Sequence, residues 1–235
     1  MPSGLVELLT WDTAFWGVRA ARLHVSNGDE FDAADRACAD DNIRWASVLV
    51  PHSNAPLLNS AVRRGFDVVD TRITLVRSLV DLSVRTQFDL AGVGDIAQIS
   101  EIAATAFRVS RFFVDPHLDD SACELFYETW VRNSFNGEMA DATVVSRHDG
   151  SVDGFMTLRS RPDHTASLPL VATRSDRRGQ GVGRRLLSDA LSWLADQGAT
   201  TVDVVTQLSN IAAVRLYESA GFQITDAGFW LHRWY

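Results

Sequence analysis

A chain of 235 residues, 46% apolar with both charge signs represented, can build one large domain or two modest ones, each with an adequate core. Its net charge of −8 argues against non-specific binding to nucleic acid or anionic membrane, so a polyanion site must be assembled locally from a few arginines or backbone amides. Cys38 and Cys123, with no CxxC and no Cys/His cluster, exclude a disulfide framework and a structural zinc site, and no metal site is expected.

The opening MPSGLVELLTWD lacks the basic start and long apolar run of a signal peptide. No stretch approaches 18 uninterrupted apolar residues, so nothing is expected to span a membrane and a cytoplasmic protein is the default. Asp81–Leu90 reads as a strand-and-linker junction between two halves. Beyond it, Ile96, Ile99, Ile102, Ala103, Ala106 and Phe107 fall at helical spacing after Gly94-Asp95. Asp119–Phe135 repeats that signature, with Leu125, Phe126, Trp130 and Val131 expected to face inward. Ala142–Ser146 and Gly154–Arg159 are strands about a His148-Asp149-Gly150 turn.

Leu168–Thr173 reads as a short apolar strand. Gly181–Gln197 follows as a helix with an inner stripe of Val182, Leu186, Ala190, Leu191 and Leu194, and Gly198 stands where a left-handed cap is wanted. Thr201–Thr206 is a β-branched strand, Asn210–Ala220 a helix closed by Gly221, and Phe229–Tyr235 a last, aromatic strand. Alternation of this kind predicts an α/β protein, a central mixed sheet flanked by helices.

The first half is legible through comparison with the second. At an offset of 156 residues Asn54, Gly65, Phe66, Asp70, Leu75 and Arg77 coincide with Asn210, Gly221, Phe222, Asp226, Leu231 and Arg233. The strand Val48–Val50 coincides with Val204–Thr206. Residues 1–82 therefore read as a shortened, degenerate copy of the end of the domain at 83–235. At the offset of the glycine loop that copy has Arg22–Asn27, without glycine, and Ala61 stands opposite Tyr217. It is expected to be structural, and the second half catalytic.

The run Arg174–Gly183 lies between a strand and a long helix. Glycines let several N–H groups approach one ligand, and the helix start adds unsatisfied amides and positive dipole. Gly183 is followed by Arg184-Arg185 rather than Lys-Ser/Thr, so this is no Walker loop. Its third glycine stands one place too early for a dinucleotide fingerprint, and Asp203, placed where a ribose carboxylate would be, reads better as an outward strand residue.

The pattern Arg178-x-x-Gly181-x-Gly183 closely resembles the acetyl-CoA pyrophosphate loop of the GNAT superfamily of N-acetyltransferases, and Leu216–Phe222 resembles its closing helix and Gly-Phe corner. The resemblance implies acetyl-CoA as donor and coenzyme A as product. It implies that Arg178, Gly179, Gln180, Gly181, Val182, Gly183 and Arg184 hold the pyrophosphate, with Asn210 and the strand residues Val171, Ala172 and Thr173 along the pantetheine. Amine attack on a thioester needs the ammonium deprotonated, an oxyanion stabilised and a thiolate protonated. Backbone N–H near Val171 suits the oxyanion. Tyr217 suits the thiolate, since a phenol near ~10 lies close to a thiol near ~8.5. The superfamily places its general acid there. No base stands out: the strand lacks a carboxylate, and Asp163-His164 reads as a turn.

Leu9–Gly17, Ala106–Phe113 with Asp115-Pro116, Val205–Asn210 and Phe229–Arg233 are similar to the bacterial TDP-fucosamine acetyltransferase group. That resemblance implies a small-molecule amine on a dTDP-linked amino-dideoxy sugar, with Arg111, Phe112, Asp115 and Tyr127 as substrate residues. Arg108, Arg132, Phe113 and Trp130 are further candidates for diphosphate and ring contacts. A homodimer is the assembly left to test. The alternatives are acetylation of another small amine, an amino acid or antibiotic amino sugar, and a non-catalytic acyl-CoA-binding protein.

Overall fold

The computed structural model describes residues 4–80, 82 and 88–235, so most of the junction expected at Asp81–Leu90 lies outside the described residues. In chain order the elements are β1 (Val6–Leu8), α1 (Thr10–Trp16), β2 (Ala20–Leu23), α2 (Glu30–Asp40), β3 (Trp45–Pro51), α3 (Ala55–Arg63) and β4 (Asp67–Ser78). Next come α4 (Ile96–Ala106), α5 (Arg111–Val114), α6 (Asp120–Phe135), β5 (Ala142–His148), β6 (Ser151–Ser160), β7 (Thr165–Leu168) and β8 (Val171–Thr173). The chain ends with α7 (Val182–Asp196), β9 (Thr201–Gln207), α8 (Ile211–Ser219) and β10 (Gln223–Trp234). The expected α/β class with mixed sheet and flanking helices is what the molecule has.

Contacts divide the chain into two compact units that are not contiguous in sequence: residues 1–72 with 110–118 and 227–235, and residues 73–109 with 119–226. In the first unit β1 pairs antiparallel with β2, β2 parallel with β3, and the end of β10 antiparallel with β3. One core gathers Leu23, Phe31, Val48, Val50, Leu57, Phe66 and Leu231. At ~25 cal/mol per Å², each large side chain there contributes roughly 1.5–3 kcal/mol.

A second buried cluster in this unit is polar. Asp115, 2% exposed, accepts hydrogen bonds from His232 Nδ1 (2.7 Å), Trp234 Nε1 (3.0 Å) and His117 N–H (3.0 Å). Burial pulls His232 down to about 4 against the pull of Asp115, so its imidazole is neutral near pH 7. Burial would raise Asp115, but the three donors outweigh it and hold the carboxyl at about 2. Both shifts act in one direction. A depressed folded pKa makes the unfolded chain the better proton acceptor, so stability is full above about pH 6.5 and falls first as pH drops toward 4, then again from about 4 toward 2. Tryptophan-fluorescence melts should show that two-stage acid loss. His232→Gln should flatten the upper stage; a variant with an unchanged pH profile would remove His232 from this account.

In the second unit β7 pairs parallel with β9, and β6 pairs antiparallel with β5, β7 and β8. Helix α7 packs on β5, β6 and β8 through Val182, Leu186, Ala190, Leu191 and Leu194, the stripe expected from sequence. Helix α4 packs on β6 and β8, and α6 on α4. Within α6 the inward face differs from expectation: Leu125 is 50% exposed, whereas Cys123 and Tyr127 are buried beside Phe126 and Val131. The helix turns its Cys123–Phe126–Tyr127–Val131 face to α4.

Three element pairs coincide in both bounds at the 156-residue offset: β3 with β9, α3 with α8, and β4 with β10. Asn54 and Asn210 cap their helices identically, each Oδ1 accepting the N–H three residues on. The two halves diverge before α2. The loop there spans residues 24–29, with Gly28 placed just after the glycine-free Arg22–Asn27.

Candidate active site

The strand expected at Leu168–Thr173 is two strands. Its first part, β7, runs parallel to β9 as far as Leu168 opposite Val204. Pro169 and Leu170 then bulge, and β8 pairs with β6 alone. Proline cannot donate to a ladder, which suits it to such a break. Thr157 in β6 holds the bulge: its N–H donates to Leu170 C=O (2.9 Å) and its hydroxyl accepts from Leu170 N–H (2.8 Å). Thr157 is 1% exposed, so no water replaces these bonds.

The sheet is thereby split between β8 and the end of β9. Leu170 C=O and Arg174 N–H both bond to β6, so by strand alternation the even-numbered residues face β6. Val171 and Thr173 therefore turn their N–H and C=O groups into the split. No strand pairs with that edge among the described residues. Across it, Val205 and Leu208 are exposed apolar side chains.

Gly154 makes a close approach possible at the back of the split. A Cβ there would stand 2.7 Å from Ala172 O and 3.1–3.2 Å from Val182 and Leu186 side-chain atoms. The sequence carries a signal for this, since Gly inside a strand marks close backbone approach.

From β8 the chain enters a single 3-10 turn at Ser175–Arg177 and then the glycine loop. Gly179 (φ 75°) and Gly181 (φ 78°) are left-handed, where a side chain is strained. Gly183 is constrained differently: its Cβ would meet Leu216 of α8 at 3.1 Å. The six N–H groups from Gly179 to Arg184 have no acceptor among the described residues. They surround the first turn of a 15-residue helix. Such an array of amides can hold an anion.

Arginines of the loop separate by partner. Arg174 pairs with Asp176 and Asp153, and Arg177 with Asp153, whereas Arg178 is exposed with no carboxylate partner among the described residues. Asp203 pairs with Arg161 at 2.6 Å, an outward strand residue as read from sequence. Asp163 bonds the N–H and hydroxyl of Thr165 in an exposed turn.

Tyr217 is buried in α8, its ring 5.6 Å from Phe222. Burial pushes its hydroxyl well above the ordinary phenol range, and no described residue hydrogen-bonds it. It stays protonated throughout the working pH range, and the close match to a thiol expected from sequence is lost with burial. Asn210 spends its Oδ1 on the α8 cap.

The four residues expected to touch an amine lie as follows. Tyr127 is buried in the second unit, stacked 4.4 Å from Phe107. Arg111, Phe112 and Asp115 belong to the first unit. Arg111 lies over Trp230 (4.2 Å) and Phe112 (4.7 Å). Phe112 stacks on Trp16 at 5.6 Å, and Asp115 is engaged by His232 and Trp234. Arg108 pairs with Asp120 and Glu124, and Arg132 with Glu128. Cys38 and Cys123 are buried and form no disulfide, and no metal-binding cluster occurs among the described residues. No described helix is long and apolar enough to cross a membrane.

A split sheet running into unclaimed helix-start amides defines the class: an acyltransferase of mixed α/β fold. A sequence profile described as the acetyltransferase (GNAT) family matches residues 97–222, and the chain belongs to that family. A dTDP-fucosamine acetyltransferase of Escherichia coli is 28% identical over 231 residues, covering 97% of this chain and 97% of that protein. The spore coat polysaccharide biosynthesis protein SpsD of Bacillus subtilis is 36% identical over 141 residues, 60% of this chain and 48% of its own. A GCN5-related N-acetyltransferase structure from Sphaerobacter thermophilus superposes with a TM-score of 0.64 at 14% identity, over 92% of this chain and 72% of that one. Acetyltransferases of this family take acetyl-CoA as acyl donor.

Proposed function

We propose that this acetyltransferase transfers the acetyl group of acetyl-CoA directly to the amino group of a dTDP-linked amino-dideoxy sugar. The observation that carries the donor is the row of six unclaimed amides at the start of α7, following the open edge of β8. The amino sugar rests on the whole-length similarity to the Escherichia coli enzyme.

The cradle fits a pyrophosphate in charge, since amides, helix dipole and Arg178 all favour an anion there. The glycines fit it in space, because side chains at Gly179 and Gly181 would be strained. Gln180, Val182, Gly183 and Arg184 complete the turn. Val171, Ala172 and Thr173 line the pantetheine, the odd pair through their backbone, and Asn210 reaches it from α8. Bound acetyl-CoA supplies an activated acyl carbon. Val171 N–H is the donor for charge developing on the acyl oxygen. Tyr217, buried and protonated, delivers its proton to the departing sulfur. The base is not assigned to a side chain; the amine enters unprotonated or loses its proton to water.

In this reading residues 83–235 are the catalytic domain and residues 1–82 a truncated structural copy. Physical support lies at the start of α2, the counterpart of the cradle. Glu30 Oε2 there accepts Ser26 N–H at 2.7 Å, and Asn27 Oδ1 accepts Asp29 and Glu30 N–H. Side chains thus take the amides of Ser26, Asp29 and Glu30, and Glu30 and Asp32 make the first turn acidic. An incoming phosphate would meet carboxylates.

The test is thiol release from acetyl-CoA over a panel of dTDP-amino sugars, free amino sugars and amino acids. Turnover on a dTDP-amino sugar is expected. Turnover confined to free amines would replace the substrate, and coenzyme A binding without turnover on any amine would make the chain a non-catalytic acyl-CoA binder. Light scattering of the same preparation distinguishes a monomer from a homodimer.

A further inference from the structure

Asp153 has no part in the chemistry above, yet it is the most unusual carboxylate of the second unit. It lies in β6, 3% exposed, in a strand whose neighbours are apolar. A lone buried carboxylate is costly, and it persists only where charge compensates it. Two guanidiniums do so. Oδ1 of Asp153 stands 3.2 Å from Arg177 Nε and 3.5 Å from a terminal nitrogen of Arg174. Neither Oδ1 nor Arg177 Nε is aligned for a hydrogen bond, so the attraction is Coulombic. The backbone joins in: Asp153 C=O accepts Arg174 N–H at 2.8 Å, and Arg174 C=O accepts Arg177 N–H at 3.0 Å.

These contacts fall on one segment, the turn that delivers β8 into the glycine loop. The two residues it clamps end immediately before Arg178, where the chain becomes extended (ψ 150°) and the left-handed glycines begin. Asp153, with Asp176 on Arg174, also engages Arg174 and Arg177, whereas Arg178 has no carboxylate partner among the described residues.

We propose that Asp153 is a positioning residue for the donor: through Arg174 and Arg177 it fixes the entry of the pyrophosphate loop, so that the amides from Gly179 to Arg184 converge on one anion. The inference rests on the acetyl-CoA reading above. It makes no contact with the reacting atoms and predicts an effect on binding the pyrophosphate, not on acyl transfer itself.

Asp153→Asn keeps the shape and removes the charge. Calorimetric titration of coenzyme A into the full chain should show Kd raised about tenfold, the size expected when a binding array is misplaced. With acetyl-CoA, KM should rise similarly while kcat stays within about twofold. The discriminating donor is S-acetyl-pantetheine, which lacks the pyrophosphate and should serve variant and wild type equally. Wild-type Kd in Asp153→Asn, or equal losses with both donors, would overturn the proposal, the latter pointing to general damage. If Asp153→Asn does not fold, Arg177→Gln removes the clamp from its half-exposed end and must show the same split between donors. Failure of the wild-type chain to bind coenzyme A would take down the donor reading with this one. A wild type that binds while the variants bind equally well sinks the clamp alone.

Discussion

Tyr217→Phe is expected to lower kcat by about 10²–10⁴-fold while coenzyme A binding changes by less than about twofold, the range typical of losing a positioned general acid. Tyr217 is buried, no described side chain hydrogen-bonds its hydroxyl, and desolvation disfavours its phenolate. The proton is therefore present at every working pH, and the alkaline limb of kcat should not bear a tyrosine ionisation below about pH 10. A core tyrosine that merely filled space beside Phe222 would tolerate phenylalanine, since the ring is retained. Single-turnover rates with bound acetyl-CoA separate the two cases, and an unchanged rate would end Tyr217's role.

Thr157→Val should cost about 1–3 kcal/mol of stability and about 10²-fold in kcat/KM. Valine matches threonine in shape but leaves Leu170 N–H buried and unbonded. The bulge then has reason to anneal. If β8 slides toward β9, the split narrows, and the N–H groups of Val171 and Thr173 turn from the acyl site. A misplacement of about 1 Å is enough for the activity loss. Thr157→Ser retains the hydroxyl and should restore most activity with a lesser stability loss. Equal activity of the valine and serine variants would show that the hydroxyl does not set the split. Chemical denaturation, read alongside the kinetics, separates the two contributions.

How far residues announced these features can be followed element by element. The stripe of α7 was legible because apolar spacing of 3.6 maps directly onto one buried face. Its glycine loop was legible because left-handed backbone has few alternatives to glycine. The repeat was legible at Gly65-Phe66 and Gly221-Phe222 for the same reason, and all three element pairs later coincide. The single strand expected at Leu168–Thr173 is two in the structure. A run of apolar residues carries no sign of which neighbour it pairs with, and Thr157, which enforces the break, is 13 residues from its partner. Leu125 departs from the expected face because α6 is only weakly amphipathic, and its buried face is set by Cys123, Phe126, Tyr127 and Val131.

By itself the sequence determined what depends on local geometry: helices and strands, the left-handed turns, the amide-rich start of α7, the tyrosine seven residues after Asn210, and the acyltransferase family. Tertiary structure decided what depends on who meets whom. It divided three neighbouring arginines into two clamped by Asp153 and one, Arg178, left for an anion. It gave Asp115 to His232 and Trp234, more than a hundred residues away. It split one apparent strand into two, because a hydroxyl from β6 satisfied a backbone that β9 could not. Periodicity encodes the face a residue presents; the partner it finds there is set by strand pairing and burial across the fold.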